Sequence, residues 1–107
     1  MTHPHLEEIL NKLRGQLESM YEERLVSLVL FGSQARREAT SDSDIDVLIV
    51  MNGELDVPKE QKKLSEFLAA LCLEYDTLIV CVWTEVHNWQ SRQSPLFINI
   101  RREGVVV

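Results

Sequence analysis

Two aspartates separated by one residue, Asp44 and Asp46, open the apolar run Val47–Val50, and upstream, across ten intervening residues, Gly32 and Ser33 close the apolar run Leu25–Phe31. In an extended chain, residues two apart project to the same side. Asp44 and Asp46 therefore present both carboxylates to one face, while Ile45 and Val47 turn into packing. Carboxylates so placed repel, and one of them is expected to resist ionising; a divalent cation relieves the conflict and gains oxygen ligands. Mg2+ suits a site of carboxylates and substrate phosphates, and Mn2+ fits the same donors. Gly32 lets the main chain approach a polyphosphate with no side chain in the way, and Ser33 adds a hydroxyl and a backbone N–H. Arg36, one helical turn beyond Ser33, can swing its guanidinium toward the same phosphates. Transfer at phosphorus asks a protein for positioning and charge neutralisation more than for covalent help, and these residue types supply both.

The elements that must hold these residues are readable from periodicity. Leu6, Ile9, Leu10, Leu13, Leu17, Met20 and Tyr21 recur at helical spacing from His5 to Tyr21, with Gly15 a weak point. Leu25–Phe31 reads as a strand covered on both faces, ended by Gly32 and Ser33. Gln34–Glu38 can form a short helix whose N-terminus favours anions, and Ala39–Ser43 is turn-forming. Asp44–Met51 is the second strand, stopped by Asn52-Gly53. Asp56 and Pro58 start a helix with Leu64, Phe67, Leu68, Leu71, Cys72 and Tyr75 on its apolar face. Thr77–Trp83 follows as a crossover strand. Ser94-Pro95 caps a last helix through Ile100, with Arg101 and Arg102 at its C-terminal end and Gly104 beyond, and Val105–Val107 is expected as an edge strand or core packing. Helix, strand, strand, helix, strand, helix is a small α/β arrangement, expected to form one domain over residues 1–107.

With these elements in place, the residues carry a resemblance. Phe31-Gly32-Ser33-Gln34-Ala35-Arg36, then Ser41-Asp42-Ser43-Asp44-Ile45-Asp46-Val47-Leu48, resembles the nucleotidyltransferase superfamily related to DNA polymerase β, and the chain's length resembles the minimal nucleotidyltransferases of prokaryotes. The specific match covers residues 31 to 50. It implies a mixed sheet flanked by helices and a nucleoside triphosphate, here ATP, bound with Mg2+. It also implies transfer of the nucleoside monophosphate to an acceptor, with pyrophosphate released. Gly32, Ser33 and Arg36 would hold the triphosphate, and Asp44 and Asp46 would ligate metal. Members of the superfamily usually place a third carboxylate on a later strand; Asp76 is the candidate here, as catalytic and metal-binding residue, with Glu85 at the far end of the strand as runner-up. The resemblance further implies a HEPN-type helical partner in a toxin–antitoxin pair, with AMP passed to a tyrosine of that partner. The alternative is a binding module that neutralises its partner by contact and keeps the pocket without turnover.

Composition bounds these readings. A chain of 107 residues, 45% hydrophobic and 26% charged, supports one hydrophobic core. The net charge of −6, with basic residues in pairs and not tracts, argues against a broad grip on nucleic acid; bound Mg2+ would reverse the sign locally. No run approaches the roughly 20 apolar residues of a membrane span, so a soluble, cytoplasmic protein is expected. Cys72 and Cys81 read as buried free thiols, and His3 and His5 as a solvated N-terminus. Trp83, Val86, Trp89, Leu96, Phe97 and Ile98 crowd the C-terminal third, with Trp89 the expected exposed anchor if that region forms an interface, with a partner or a second copy.

Overall fold

The computed structural model describes residues 1–40 and 42–107, so the expected turn at Ala39–Ser43 is described except for Ser41. Periodicity placed the first helix and strand well: α1 spans Leu6–Tyr21 and β1 spans Leu25–Phe31, joined by a 3-10 turn at Glu22–Arg24. A short helix, α2, occupies Gly32–Ala35, two residues earlier than the expected start at Gln34. β2 covers Ile45–Met51, leaving Asp44 immediately ahead of the strand.

α3 runs Val57–Tyr75 and is capped as its residues demand: the Asp56 carboxylate accepts from the Lys59 N–H at 3.3 Å, Pro58 sits in the first turn, and Asp76 ends the helix in the left-handed region at φ 48°. That residue and the following Thr77-Leu78 form the connection, so β3 begins at Ile79 and reaches Glu85, two residues later than expected at each end. α4, at Val86–Ser91, was not anticipated. α5 spans Pro95–Glu103, with the Ser94 hydroxyl accepting from the Phe97 N–H at 3.2 Å. Val105–Val106 forms β4.

The four strands make one mixed sheet in the order β3-β2-β1-β4. β1 pairs antiparallel with β2 and β4, and β2 pairs parallel with β3 through the α3 crossover. Side-chain alternation divides the core in two. Leu28, Leu30, Ile45, Val47, Ile49, Ile79 and Trp83 pack against α1 and α3. On the opposite face Val29, Leu48 and Val50 pack under Ile100, joined by the partly buried Phe31, Val82, Val86, Trp89 and Phe97 of the C-terminal segment. Trp89 is therefore a packing residue and not the exposed anchor: its ring meets Phe97 edge to face at 5.6 Å and lies beneath the Arg101 guanidinium.

The N-terminal residues are largely exposed, as expected, and hydrogen bonds also tie them down. The His3 N–H donates to the buried Gln34 Oε1 at 2.8 Å, the Ala39 N–H donates to the Met1 carbonyl, and the terminal amine donates to the Arg37 carbonyl. Cys72 and Cys81 are free and half-buried. Burial, with a smaller contribution from Cys72, pushes the Cys81 thiol up to about 12, which leaves it a poor nucleophile. Among the described residues no helix is long and apolar enough to cross a membrane.

Candidate functional site

Alternation along β2 decides where the aspartates point. Asp46 lies two residues before Leu48, and so belongs to the sheet face on which α4 and α5 pack. Opposite Asp46 on β1 is Phe31, the residue before Gly32. At Gly32 the backbone turns with φ +74°, and a Cβ there would collide with Asp46 Oδ2 and stand 3.2 Å from its Cγ. Glycine is thus required twice, for the left-handed conformation and for the space the carboxylate fills. The Asp46 side chain lies directly against the glycine bend.

Asp44 is exposed, two residues ahead, and its entry to β2 is fixed by the Ile45 N–H donating to the Leu78 carbonyl at 2.9 Å. Burial is the first cause that raises the Asp46 pKa above the ordinary carboxylate value; the negative charge of Asp44 adds to it and Arg36 opposes it. The electrostatic conflict expected of the pair is present, with burial outranking repulsion. Two hard oxygen donors in such conflict fit a divalent cation, and Asp44 and Asp46 are the residues that could hold it.

Ser33 follows Gly32 in α2, and its carbonyl accepts from the Glu38 N–H at 2.9 Å, closing the turn around the bend. Arg36 is near enough to Asp46 to act on its charge, yet its guanidinium is held by Glu38 and Glu103, each at 3.0 Å. It is stationed beside the site and engaged by carboxylates. Gln34, only 2% exposed, anchors the N-terminal segment under this turn. Sequence reading passed over Gln34, although a polar side chain within the first turn of so short a helix needs a partner if it is buried.

The two candidates for the third carboxylate, Asp76 and Glu85, lie at opposite ends of the β3 segment. Parallel pairing sets Val80 beside Asp46, the position on the later strand where an acid would complete the set. Asp76 lies earlier, at the end of α3, where it lines a hollow of about 490 Å³ with Asp42, Ser43, Asp44, Cys72, Leu73, Thr77 and Leu78. Among the described residues no three His, Cys, Asp or Glu side chains converge as metal ligands, while Asp44 and Asp76 share the lining of this hollow. Glu85 pairs with Met51 at the other end of the strand, five positions or about 16 Å from the Asp46 row at the rise of a β-strand.

Comparison with known proteins bears on this geometry. The family model described as "Nucleotidyltransferase domain" matches residues 10–102. Putative protein adenylyltransferase MJ0604 of Methanocaldococcus jannaschii is 40% identical over 107 aligned positions, covering 94% of this chain and 96% of its own length. Putative protein adenylyltransferase MJ0141 of the same organism is 33% identical over 72 residues, covering 67% and 72%. Among solved structures, a nucleotidyltransferase of Sulfolobus solfataricus described as putative superposes with a TM-score of 0.65 at 19% identity over 92% of this chain and 76% of that one. A chain of a toxin–antitoxin complex with AMP-PNP does so with a TM-score of 0.62 at 22% identity, over 90% and 69%. Both structural likenesses confirm the mixed-sheet fold.

Proposed function

Since the chain belongs to the nucleotidyltransferase domain family, we propose that it transfers AMP from ATP, with Mg2+, to the phenolic hydroxyl of a tyrosine on a partner protein. One observation carries the reading: Asp46 is pressed against the Gly32 bend, with Asp44 two residues away. Gly32 and Ser33 would take the triphosphate, and Asp44 and Asp46 the metal. Bound there, Mg2+ would neutralise charge on the phosphates. The acceptor oxygen attacks the α-phosphorus, the bond from that phosphorus to the bridging oxygen breaks, and pyrophosphate leaves with the electron pair.

The tyrosine acceptor is what the resemblance to minimal nucleotidyltransferases implies, and the row beside Asp46 is compatible with it. Val80 occupies the β3 position beside Asp46, so among the described residues that position supplies no acid to take the acceptor's proton. A phenol ionises near pH 10, far more readily than water with its pKa of about 15.7, so it can give its proton to solvent water as it attacks and depends less on such a base than an aliphatic hydroxyl or water does. The relatives carry protein adenylyltransferase in their names, which supports a protein acceptor, and the fold is shared with a chain of a toxin–antitoxin complex, which supports a toxin as that protein; its HEPN type is what the sequence resemblance implies.

The lack of an acid at that β3 position also favours a second reading, a module that binds its partner by contact without turnover. Incubation with ATP labelled at the α-phosphate, Mg2+ and the product of the neighbouring gene separates the two. Label on a partner tyrosine, abolished in Asp44→Ala and Asp46→Ala, is the outcome expected of the transferase. Stable association without label, the same in wild type and both variants, would replace it with the contact reading.

A further inference from the structure

We propose that an apolar strip beside the two aspartates, formed by Leu73, Leu78 and Val80, is the docking surface for the acceptor. The segment it receives is polypeptide carrying its tyrosine next to lysine or arginine. This deepens the transferase reading and rests on it.

These side chains are exposed where burial would be the rule: Leu73 is 84% exposed, Leu78 56% and Val80 36%. Leu78 and Val80 are two residues apart on the approach to and start of β3, so they project to one side. Val80 pairs with Asp46, and Leu78 adjoins Asp44 through the bond from Ile45 to its carbonyl. Leu78 and Val80 therefore run parallel to the aspartates, one strand further out, and Leu73 of α3 joins Leu78 across the hollow that they line with Asp44 and Asp76. β3 is the outermost strand of the sheet on that side, which leaves the strip open to an approaching chain. Further along the same strand, Val82 is packed into the cluster with Val86, Trp89 and Phe97, so the exposure is confined to the end that carries the site.

Charge selects the occupant. The hollow between Leu73 and Leu78 is walled by Asp42, Asp44 and Asp76 and, among the described residues, by no lysine or arginine. A second copy of this chain docked here about a two-fold axis would set these acids against their own copies, and the net charge of −6 repels polyanions. An apolar or aromatic anchor flanked by positive charge satisfies both the strip and its rim.

The test uses two fluorescent peptides of equal length, each with one tyrosine, flanked by lysines in one and glutamates in the other. Binding is measured by anisotropy without nucleotide. The lysine peptide is expected to bind about tenfold or more tightly, with the advantage shrinking as salt rises. Leu73→Ser/Leu78→Ser should weaken it about tenfold and leave the thermal shift caused by Mg-ATP unchanged. Asp42→Lys should narrow or reverse the preference between peptides, which guards against misfolding of the double variant. Equal affinity for the two peptides, or unaltered binding to the double variant, overturns the docking surface. So does a wild-type dimer that becomes monomeric in the double variant, which would assign the strip to self-association. Failure of the transferase reading registers separately, as a wild-type protein whose melting temperature ignores Mg-ATP while peptide binding still reports on the strip.

Discussion

At Gly32 two demands meet in one residue: φ is +74°, and the volume a Cβ would need is taken by the Asp46 carboxylate. Gly32→Ala must either abandon the left-handed turn or push Asp46 aside. We expect a stability loss of about 1–3 kcal/mol, the usual cost of such backbone strain, together with loss of nucleotide transfer, checked by denaturant unfolding and labelled-ATP assay on the same preparation. An alanine variant with wild-type stability and transfer would mean that the close approach has no consequence. Asp44, Asp46 and Gly32 were legible in the sequence because a period of two and a glycine after a strand have direct spatial meaning. The third acid was not. Which residue of β3 sits beside Asp46 depends on the register of two strands separated by a nineteen-residue helix, and a shift of a few residues moves Val80, not Asp76, into that row. The engagement of Arg36 by Glu103 was equally hidden, since it joins residues 67 apart in the chain.

At the scale of elements, strongly patterned segments followed their sequence and weakly patterned ones did not. The buried faces of α1 and α3 contain the residues assigned to them, because three or more turns of apolar spacing leave a single solution. α4 has six residues and no side-chain cap, too little for a period to emerge. α1 and α3 are also joined by a polar link: the buried Glu60 accepts from the Tyr21 hydroxyl at 2.9 Å. Burial works to raise the Glu60 pKa, but the Tyr21 hydroxyl and the Lys63 ammonium outweigh it and hold the carboxyl below its ordinary value. A carboxyl lowered in the folded state contributes stability that is present above its unfolded pKa and lost as pH falls through the folded one. Tyr21→Phe should cost about 1.5–3 kcal/mol near neutrality, as for a hydrogen bond to a charged group, and flatten the loss of stability on acidification. Urea unfolding across pH 3 to 7 measures both. Parallel curves for variant and wild type would remove Glu60 from the account.

At the scale of the whole molecule, strand order sets where the site lies. β2 lies inside the sheet, with Asp44 exposed just ahead of it and Asp46 half-buried against the glycine bend, on the face where α4 and α5 pack. Of the C-terminal residues that suggested an interface, Trp89 and Phe97 are absorbed in packing while Leu96 and Ile98 stay exposed, and a further exposed apolar group, Leu73, Leu78 and Val80, lies near Asp44 and Asp46. Global acidity, which argues against polyanions at large, coexists with a local demand for a cation at one carboxylate pair. The central claim is that this pair and the glycine bend together hold a metal–nucleotide complex. It is tested most directly by calorimetric titration of Mg-ATP into wild type and Asp46→Asn, each also titrated with ATP in the presence of a chelator. We predict saturable binding by wild type that needs Mg2+ and is at least about tenfold weaker in the variant, the ratio that corresponds to 1.4 kcal/mol. Equal binding by the two proteins, or binding indifferent to Mg2+, would contradict it.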